Sequence, residues 1–320
     1  MDLIYTNAER VDQGTLEAYA LDLSFGAKEN DFEITLDAAS LLEYGAALYI
    51  EGTEYGGIVD GLKTQTKSQT ITYFGRTWHG VMNSKVIEPD AGQAYLKVSG
   101  DANEVIASVL ARLGLDDLFE ASDEESGITI SNYQFARYCF GYDGLISMLT
   151  ANDAKLKIAW EDRKVRLSAV PIVDYASAPL DDDTAELSVE KHDKKVNHII
   201  CLGKGELTER EVHHFYIDKN GNVSDTQHYF GLDEYTAIYE NTNAEDSEEL
   251  ISGGKARLRE LRRNDKAEIS AAEVEGVPFD IGDIVGATDL KTGISVSAAI
   301  TQKIVRVQNG VVDIEHQTGG

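Results

Sequence analysis

The chain contains 320 residues with a mass of 35.1 kDa, enough for two or three domains of ordinary size. It carries 56 acidic and 29 basic residues, which gives a net charge of −27. A protein that binds DNA or RNA needs clustered lysine and arginine to displace counterions from phosphates. No basic stripe with interleaved aromatic residues is present, so the sequence excludes a polyanion-binding protein. The acidity is interpreted either as a source of solubility or as a surface that repels nucleic acid.

Hydrophobic residues make up 42% of the chain and there are only 4 prolines, so we expect most of it to be ordered. No apolar run of about 18 residues occurs, and the start, MDLIYTNAER, lacks a basic region followed by an apolar one. We therefore expect folding in a cytoplasm and no membrane insertion. Cys139 and Cys201 stand in no CxxC pair, which favours reduced, buried cysteines over a disulfide framework.

Residues 1–88 form the first predicted region, which is dominated by strands. Its β-forming segments are Tyr19–Phe25, Asp31–Leu36, Leu48–Ile50 and a long hairpin that joins Tyr55–Thr66 to Gln69–Phe74. The polar pair Lys67-Ser68 is where the hairpin can reverse. Thr77 then caps a predicted short helix with an apolar side of Trp78, Val81 and Met82.

Residues 89–184 form a predicted α+β region. Asp101 can cap a helix with Glu104 reaching back, and Gly114 ends it. A second helix is predicted over Gly141–Asn152, followed by a hairpin around Glu161-Asp162-Arg163. Pro171, Pro179 and the run Asp181-Asp182-Asp183 mark the end of this region.

Residues 185–320 form a predicted second β-region with one long helix. Asn197–Leu202 and Glu211–Asp218 have strand patterns, and a helix is expected over Ala244–Arg263 with acidic residues first and arginines last, as the helix dipole favours. A terminal hairpin is predicted at Asn309-Gly310. A two-residue turn there sets three facing pairs: Val307 with Val312, Val305 with Ile314, and Arg306 with Asp313.

Templates of catalytic and ligand sites mostly fail. Gly203-Lys204 and Gly254-Lys255 lack the glycine spacing and the Ser/Thr of a phosphate-binding loop. Asp218, Asn220, Asn222 and Ser224 resemble the start of a calcium loop, but Val223 replaces its glycine and Tyr229 its glutamate, so a hairpin turn is preferred. His213 and His214 are neighbours on a strand and point to opposite faces, which argues against a shared metal ion.

Two further groups of residues have the chemistry of possible sites. The acidic residues after the first helix could supply a glycosidase pair, but a run of adjacent acids in a polar loop is typical of a solvated surface: Asp116, Asp117, Glu120, Asp123, Glu124 and Glu125. Trp78 and His79 could line a ligand site, although helical spacing with Val81 and Met82 favours a core position for the tryptophan. We therefore predict no catalytic residue, no cofactor and no metal site.

Two segments carry a resemblance to a known family. Tyr49–Ile87, in which a GG-x-V hairpin leads into a GRTWHG helix, resembles the first barrel of the tail-hub (baseplate-hub) proteins of tailed phages and phage-like particles. Val196–Asp218, VNHIICLGKGELTEREVHHFYID, with the following KNGN turn, is similar to the start of the second barrel of that family. The helix near Ala244 also falls where the family has one.

The resemblance implies an α+β, mainly β fold with two antiparallel β-barrel domains related to tail-tube proteins and an α+β insertion. It implies a trimer at the tip of the tail, because two barrels in each of three chains give a ring of six that matches a sixfold tail tube. The expected neighbours are the tail tube or a distal tail protein on one side and a spike, fibre or lysin protein on the other. DNA would pass without specific binding, and the protein would be part of the virion.

Two alternatives remain open. The chain could be the N-terminal type of hub that precedes a tail-associated lysin, although it ends at His316-Gln317-Thr318-Gly319-Gly320 without a hydrolase extension. It could also be a cell-wall-binding module, which would need an exposed aromatic patch, whereas the 15 tyrosines are spread along strands.

Overall fold

A computed structural model describes residues 2–37, 42–176, 180–181, 195–242, 244, 246–263, 270–272 and 279–318. The chain divides into two compact units. Unit 1 comprises Met1–Val189 and Glu268–Thr318, and unit 2 comprises Glu190–Ala267 and Gly319–Gly320. Pro179 and the acidic pair Asp182-Asp183, which were expected to end the α+β region, lie outside the described residues.

The elements of unit 1 up to residue 181 alternate between short strands and three helices. They are β1 Leu3–Thr6, β2 Asp12–Leu16, β3 Tyr19–Gly26, β4 Asp31–Asp37, β5 Ala47–Tyr49, β6 Gly56–Thr64, β7 Thr70–Thr77, α1 Trp78–Asn83, β8 Val86–Ile87, β9 Lys97–Asp101, α2 Ala102–Leu113, β10 Phe119–Ala121, β11 Thr129–Gln134, β12 Cys139–Phe140, α3 Gly141–Thr150, β13 Ala154–Glu161, β14 Lys164–Pro171 and β15 Leu180–Asp181.

The described part of unit 2 holds four strands and one long helix: β16 His198–Leu202, β17 Val212–Ile217, β18 Val223–Ser224, β19 Thr236–Glu240 and α4 Ser247–Arg263. Short 3-10 turns lie at Leu207–Glu209 and Gly231–Asp233. The chain then returns to unit 1 with β20 Ser270–Ala272, β21 Ile284–Asp289, β22 Ile294–Gln308 and β23 Val311–Thr318.

One large sheet dominates unit 1. Its strand order is β15-β21-β22-β3-β4-β7-β6-β5-β1-β2, and β23 and β20 continue from β22 on a side branch. Among its described strands all pairs are antiparallel except β15 with β21. The predicted strands of the first region and the β6/β7 hairpin are confirmed, with the reversal at Gln65–Ser68. β1 and β2 were not anticipated, since Asp12–Leu16 shows little alternation of apolar and polar residues.

The large sheet curls strongly. β2 and β3 are six steps apart in the strand order, which would be roughly 29 Å in a flat sheet. Only Glu17 and Ala18 join them, and a link of that length reaches about 11 Å. The sheet must therefore bend until its β2 edge lies near β3, and Leu16 and Val312 accordingly line the same cleft. No hydrogen-bonded pair between β2 and β3 closes the curl among the described residues.

The helices and the hairpin predicted between residues 89 and 184 are present as α2, α3 and the β13/β14 pair. Asp101 caps α2 by accepting a hydrogen bond from the Asn103 amide at 2.9 Å, and Gly114 ends it in the left-handed conformation. The core of this region includes Trp78 of α1, which stacks on Trp160 of β13 at 5.2 Å. This core includes residues on both sides of position 88, and a second core of unit 1 is formed by residues before position 74 together with β22 and β23.

The terminal hairpin has the predicted register. Val307 faces Val312, Val305 faces Ile314 and Arg306 faces Asp313. The hairpin pairs through β22 with β3 of the large sheet. This differs from the predicted grouping of residues 185–320, because the structure places these strands in unit 1 and only residues 190–267 and the last two residues in unit 2.

Unit 2 is a four-stranded sheet with α4 packed on one face. The sheet order is β18-β17-β16-β19, and β16 and β19 are parallel. Asp246 caps α4 by accepting a hydrogen bond from the Glu249 amide at 2.9 Å, so the helix begins slightly later than predicted. Gly254 allows close packing, because a Cβ there would lie 2.1 Å from the Cys201 sulfur.

Candidate functional site

Five charged side chains meet inside unit 1, and we name this set the ion cluster: Glu54, Lys155, Asp280, Asp283 and Lys303. The Lys155 Nζ donates to Asp283 at 2.7 Å and to Asp280 at 3.0 Å. The Lys303 Nζ donates to Glu54 at 2.6 Å and lies 3.5 Å from Asp280. Lys303 belongs to β22, Lys155 to β13 and Glu54 to the β5–β6 connection, so the cluster ties together distant parts of the chain.

Burial and charge oppose each other within the ion cluster. Burial lowers the pKa of Lys303, but the charges of Glu54 and Asp280 outweigh it and the pKa is raised. Burial likewise lowers the pKa of Lys155, and hydrogen bonds to Asp283 and Asp280 raise it overall. Both ammonium groups therefore stay charged. Burial raises the pKa of Glu54, and this outweighs the charge and hydrogen bond of Lys303, which lower it.

His79 lies next to the ion cluster and is neutral. Burial, with a contribution from the Lys303 charge, lowers its pKa to about 3. Its Nε2 is 3.8 Å from a Glu54 oxygen, and its ring stacks on Phe25 at 4.4 Å. Trp78 is fully buried. Both residues are therefore part of the core. For Trp78, this is the position predicted from its helical spacing with Val81 and Met82.

A cleft of about 290 Å³ opens beside the ion cluster and is lined in part by Glu54, Asp280 and Lys303. Glycosidases place two carboxyl groups across a substrate, one of them kept protonated by its environment. Here both carboxylates contact the same ammonium group, which favours a structural tie over acid–base chemistry.

The acidic residues after α2 are solvated, as predicted. Asp116, Asp117, Asp123, Glu124 and Glu125 are exposed and Glu120 is half-buried. Asp117 pairs with Arg10, and Glu120 lies 3.5 Å from Arg166. Among the residues that the structure describes, no group of three or more His, Cys, Asp or Glu side chains is arranged to hold a metal ion.

The histidines of β17 point to opposite faces, as predicted. His213 contacts Glu211 at 2.8 Å. His214 contacts the Nε2 of His198 at 2.9 Å, and the Nδ1 of His198 contacts Glu234 at 2.7 Å. Each imidazole thus has a partner within unit 2.

The remaining predicted motifs are structural too. Asp218 accepts hydrogen bonds from the amides of Asn220 and Asn222, both at 2.8 Å, which confirms the hairpin turn. Gly254-Lys255 lies within α4, and Gly203 packs against Leu250. Both cysteines are free thiols, and burial raises the pKa of each. Cys201 is buried, as predicted, whereas Cys139 is only half-buried.

The unit 2 sheet leaves one face uncovered by its helix, and we name this the open face. α4 packs on the face that carries Ile199, Cys201 and Phe215. Side chains alternate along strands, so the next residues of each strand point the other way. The open face carries His198, Ile200 and Leu202 of β16, Val212, His214 and Tyr216 of β17, and Thr236, Ile238 and Glu240 of β19.

The open face mixes apolar and polar side chains, and its apolar members include two exposed residues. The side chains of Ile238 and Val212 are 67% and 43% exposed. Ile200 lies between His214 and Ile238 in the register, and Leu202 lies between Val212 and Glu240. Single exposed hydrophobic residues are ordinary, but a contiguous group marks an interaction surface.

Three solved structures share this architecture along nearly their whole length. The 43 kDa tail protein of prophage MuSo2 from Shewanella oneidensis matches with a TM-score of 0.61 at 11% identity. The match covers 99% of this chain and 98% of the MuSo2 protein. The tail protein from Neisseria meningitidis MC58 has a TM-score of 0.59 at 12% identity, with 100% and 96% covered. The chain has the fold of phage tail proteins.

Prophage tail protein gp18 from Listeria monocytogenes EGD-e shares the tail-protein fold as well, with a TM-score of 0.53, 13% identity, and 99% and 94% of the two chains covered. No protein-family model and no curated protein sequence matches the chain. In the described part of this tail-protein fold, no helix is long and apolar enough to cross a membrane.

Sequence reasoning missed both the ion cluster and the open face. The hydrogen bond from Lys303 to Glu54 joins residues that are 249 positions apart in the chain. No local spacing in the sequence therefore indicates the cluster. The alternation of apolar and polar residues in Asn197–Leu202 is weak because both faces of β16 carry apolar residues. Ile199 and Cys201 lie on one face, and Ile200 and Leu202 lie on the other. That two-sided apolar pattern was the available signal for a second contact surface.

Proposed function

We propose that the chain is a structural hub at the tip of a phage tail or phage-like tail, without enzymatic activity. Three copies form a ring that joins the sixfold tail tube, or a distal tail protein, to a spike, fibre or lysin protein. The ring surrounds the channel through which DNA leaves. The observation that supports this proposal is a tail-protein fold that matches known tail proteins over at least 94% of their length and 99% of this chain.

A barrel in each half of the chain is part of the proposal. The curled sheet of unit 1 supports the first barrel. β22 is 15 residues long and pairs through its first part with β21 and through its second part with β3 and β23. We propose that this long strand serves both barrels, which would give a trimer its six similar units.

Copy number tests the hub. A reconstruction of particles that contain this chain should show three copies at the tail tip. Light scattering on an extracted hub complex should show a species near 105 kDa, three times the chain mass of 35.1 kDa. One copy or six copies per tail would contradict the proposal, whereas an isolated monomer would not, because assembly can depend on neighbouring proteins.

A cell-wall assay tests the absence of activity. A suspension of purified cell walls incubated with the chain should lose no turbidity. The chain should also not be retained on the sedimented cell walls. Loss of turbidity would favour a lysin, and the carboxylates beside the 290 Å³ cleft, Glu54 and Asp280, would be the first to replace.

A further inference from the structure

Two histidines of the open face have nitrogens that face each other. His198 of β16 and His214 of β17 come from neighbouring strands, and the Nε2 of His198 lies 2.9 Å from the Nδ1 of His214. Imidazole nitrogen is a preferred ligand of Zn²⁺ and Cu²⁺. We propose that His198 and His214 form a binding site for a transition-metal dication of this kind. The adjacent His213 points to the opposite face of the sheet and takes no part.

Glu234 holds His198 in the form that a metal ion requires. Its carboxylate lies 2.7 Å from the Nδ1 of His198, and a carboxylate only accepts hydrogen bonds. A neutral His198 therefore carries its proton on Nδ1, and its lone pair lies on Nε2, the nitrogen that faces His214. Histidines that bind metals characteristically donate their other N–H group to such an acceptor, which orients the ring and raises its basicity as a ligand.

The surroundings fix His198 and leave room for His214 to move. His198 is 7% exposed and its ring stacks on Tyr216 with the ring centres 4.4 Å apart, whereas His214 is exposed. Two nitrogens that bind one tetrahedral ion lie about 3.3 Å apart, since each Zn–N bond is about 2.0–2.1 Å long. The two nitrogens must therefore separate by about 0.4 Å from their distance of 2.9 Å, which a small movement of the His214 ring provides.

Binding of the ion requires one proton to move. In the ion-free pair the Nδ1 of His214 donates its hydrogen to the Nε2 of His198. When the ion binds, that proton leaves Nδ1 and His214 takes one up on its Nε2 from solvent, so the ring stays neutral and both facing nitrogens present lone pairs. Water molecules complete the coordination. Two protein ligands are one fewer than in a catalytic zinc site, so we expect weaker binding than such a site achieves.

Calorimetry with Cu²⁺ tests the site. The ion is titrated into the purified full chain at neutral pH with a large excess of Mg²⁺, because a chain of net charge −27 also attracts dications to its carboxylates, and Mg²⁺ occupies oxygen ligands rather than imidazole. We expect one Cu²⁺ ion per chain under these conditions. His214→Gln should weaken its binding by more than about tenfold.

His213→Gln is the matched control, because His213 is the next residue of the same strand and contacts Glu211 at 2.8 Å on the opposite face. This change should leave the affinity for Cu²⁺ as it is in the wild-type chain. His214 is exposed, so His214→Gln should keep the fold, which thermal unfolding without metal verifies. Electron paramagnetic resonance of the Cu²⁺ complex gives an independent readout, since imidazole ligands couple the copper spin to nitrogen nuclei and carboxylates do not.

Three outcomes would overturn the metal site. They are no binding of Cu²⁺ in the presence of Mg²⁺, an equal loss of affinity in His213→Gln and His214→Gln, and a Cu²⁺ spectrum without nitrogen coupling. The affinities should also fall from Cu²⁺ to Zn²⁺ to Mn²⁺, the order typical of nitrogen ligands, and equal affinities for the three ions would assign the binding to surface carboxylates instead. None of these results depends on the copy number at the tail tip, so the site and the hub are tested separately.

Discussion

Lys303 illustrates how one buried residue holds unit 1 together. Its side chain is 4% exposed and its ammonium group contacts Glu54 and Asp280. The Nζ also lies 6.0 Å from the centre of the Phe25 ring and 5.9 Å from that of Tyr55. Removal of a buried charge leaves its partner without compensation, which costs more than the pair contributes as a whole.

Lys303→Met should therefore lower the free energy of unfolding by about 3–5 kcal/mol. Urea denaturation with a single probe in each unit measures it. Lys157→Met is the matched control, since this exposed lysine lines the same cleft and its loss should change stability by less than about 0.5 kcal/mol. Adding Glu54→Gln to Lys303→Met should recover part of the loss. Equal effects of the two lysine changes would contradict the structural role of the ion cluster.

His79 should make the protein sensitive to acid. Its pKa is lowered to about 3 by burial, so between that value and its unfolded value near 6.5 the unfolded chain binds more protons than the folded one. This contribution to stability is complete above pH 6.5 and is lost as the pH falls toward 3.

Comparison with His79→Phe tests this effect, because phenylalanine keeps a ring against Phe25 and cannot take up a proton. Between pH 6 and pH 4 the wild-type chain should lose about 1.4 kcal/mol per pH unit more than the variant. Parallel stability curves over that range would show that His79 becomes charged without unfolding its surroundings.

At the scale of elements, the terminal hairpin depends on its turn. Asn309 and Gly310 have φ angles of 54° and 77°, as a type I′ turn requires. A Cβ at Gly310 would meet no atom within 4 Å, so a substitution there is opposed by backbone conformation alone.

Gly310→Val should destabilise the protein by about 1–3 kcal/mol, because a β-branched residue resists positive φ. Thermal unfolding gives the change, and Gly310→Asn is the control, since asparagine adopts this conformation more readily. If valine and asparagine were equally tolerated, the turn would not constrain the hairpin.

The packing of α4 depends on a close approach to β16. Gly254→Ala would place a Cβ 2.1 Å from the Cys201 sulfur, so the helix must shift outward. We expect a loss of about 1–3 kcal/mol from such overpacking.

The variant Gly254→Ala with Cys201→Ala tests this contact, because removal of the sulfur makes room for the new methyl group. The double variant should be more stable than the sum of the single changes implies, a coupling of about 0.5–3 kcal/mol. Additive effects in urea denaturation would mean that the two residues are not packed as described.

At the scale of the whole molecule, charge relates structure to the proposed function. Three copies would carry a combined charge of −81, three times the −27 of one chain. We propose that acidic side chains on the lumen of the ring let DNA slide without adhesion. A lumen lined by lysine and arginine in a reconstruction would refute this mechanism.

Duplex DNA should accordingly not be retained in filter-binding assays at low salt, where a DNA-binding protein binds most tightly. A basic protein of similar mass serves as the positive control. Tight binding that weakens with salt would contradict the proposed channel.

The sequence alone determined the elements whose signals are local. α2 was predicted with both ends because Asp101 and Gly114 cap it within its own residues. The register of the terminal hairpin followed from Asn309-Gly310, since a two-residue turn fixes every facing pair. The absence of a basic stripe likewise needed no coordinates.

Only the tertiary structure decided which distant segments meet. The pairing of β22 with β3 and the contact of Lys303 with Glu54 join residues more than two hundred positions apart. Such partners are selected by how well whole surfaces fit together, which no short stretch of sequence indicates. The distance between partners along the chain is also weakly constrained, because each residue added to a long loop increases the entropic cost of closing it only slightly. The open face became visible only when α4 was placed on the opposite side of its sheet.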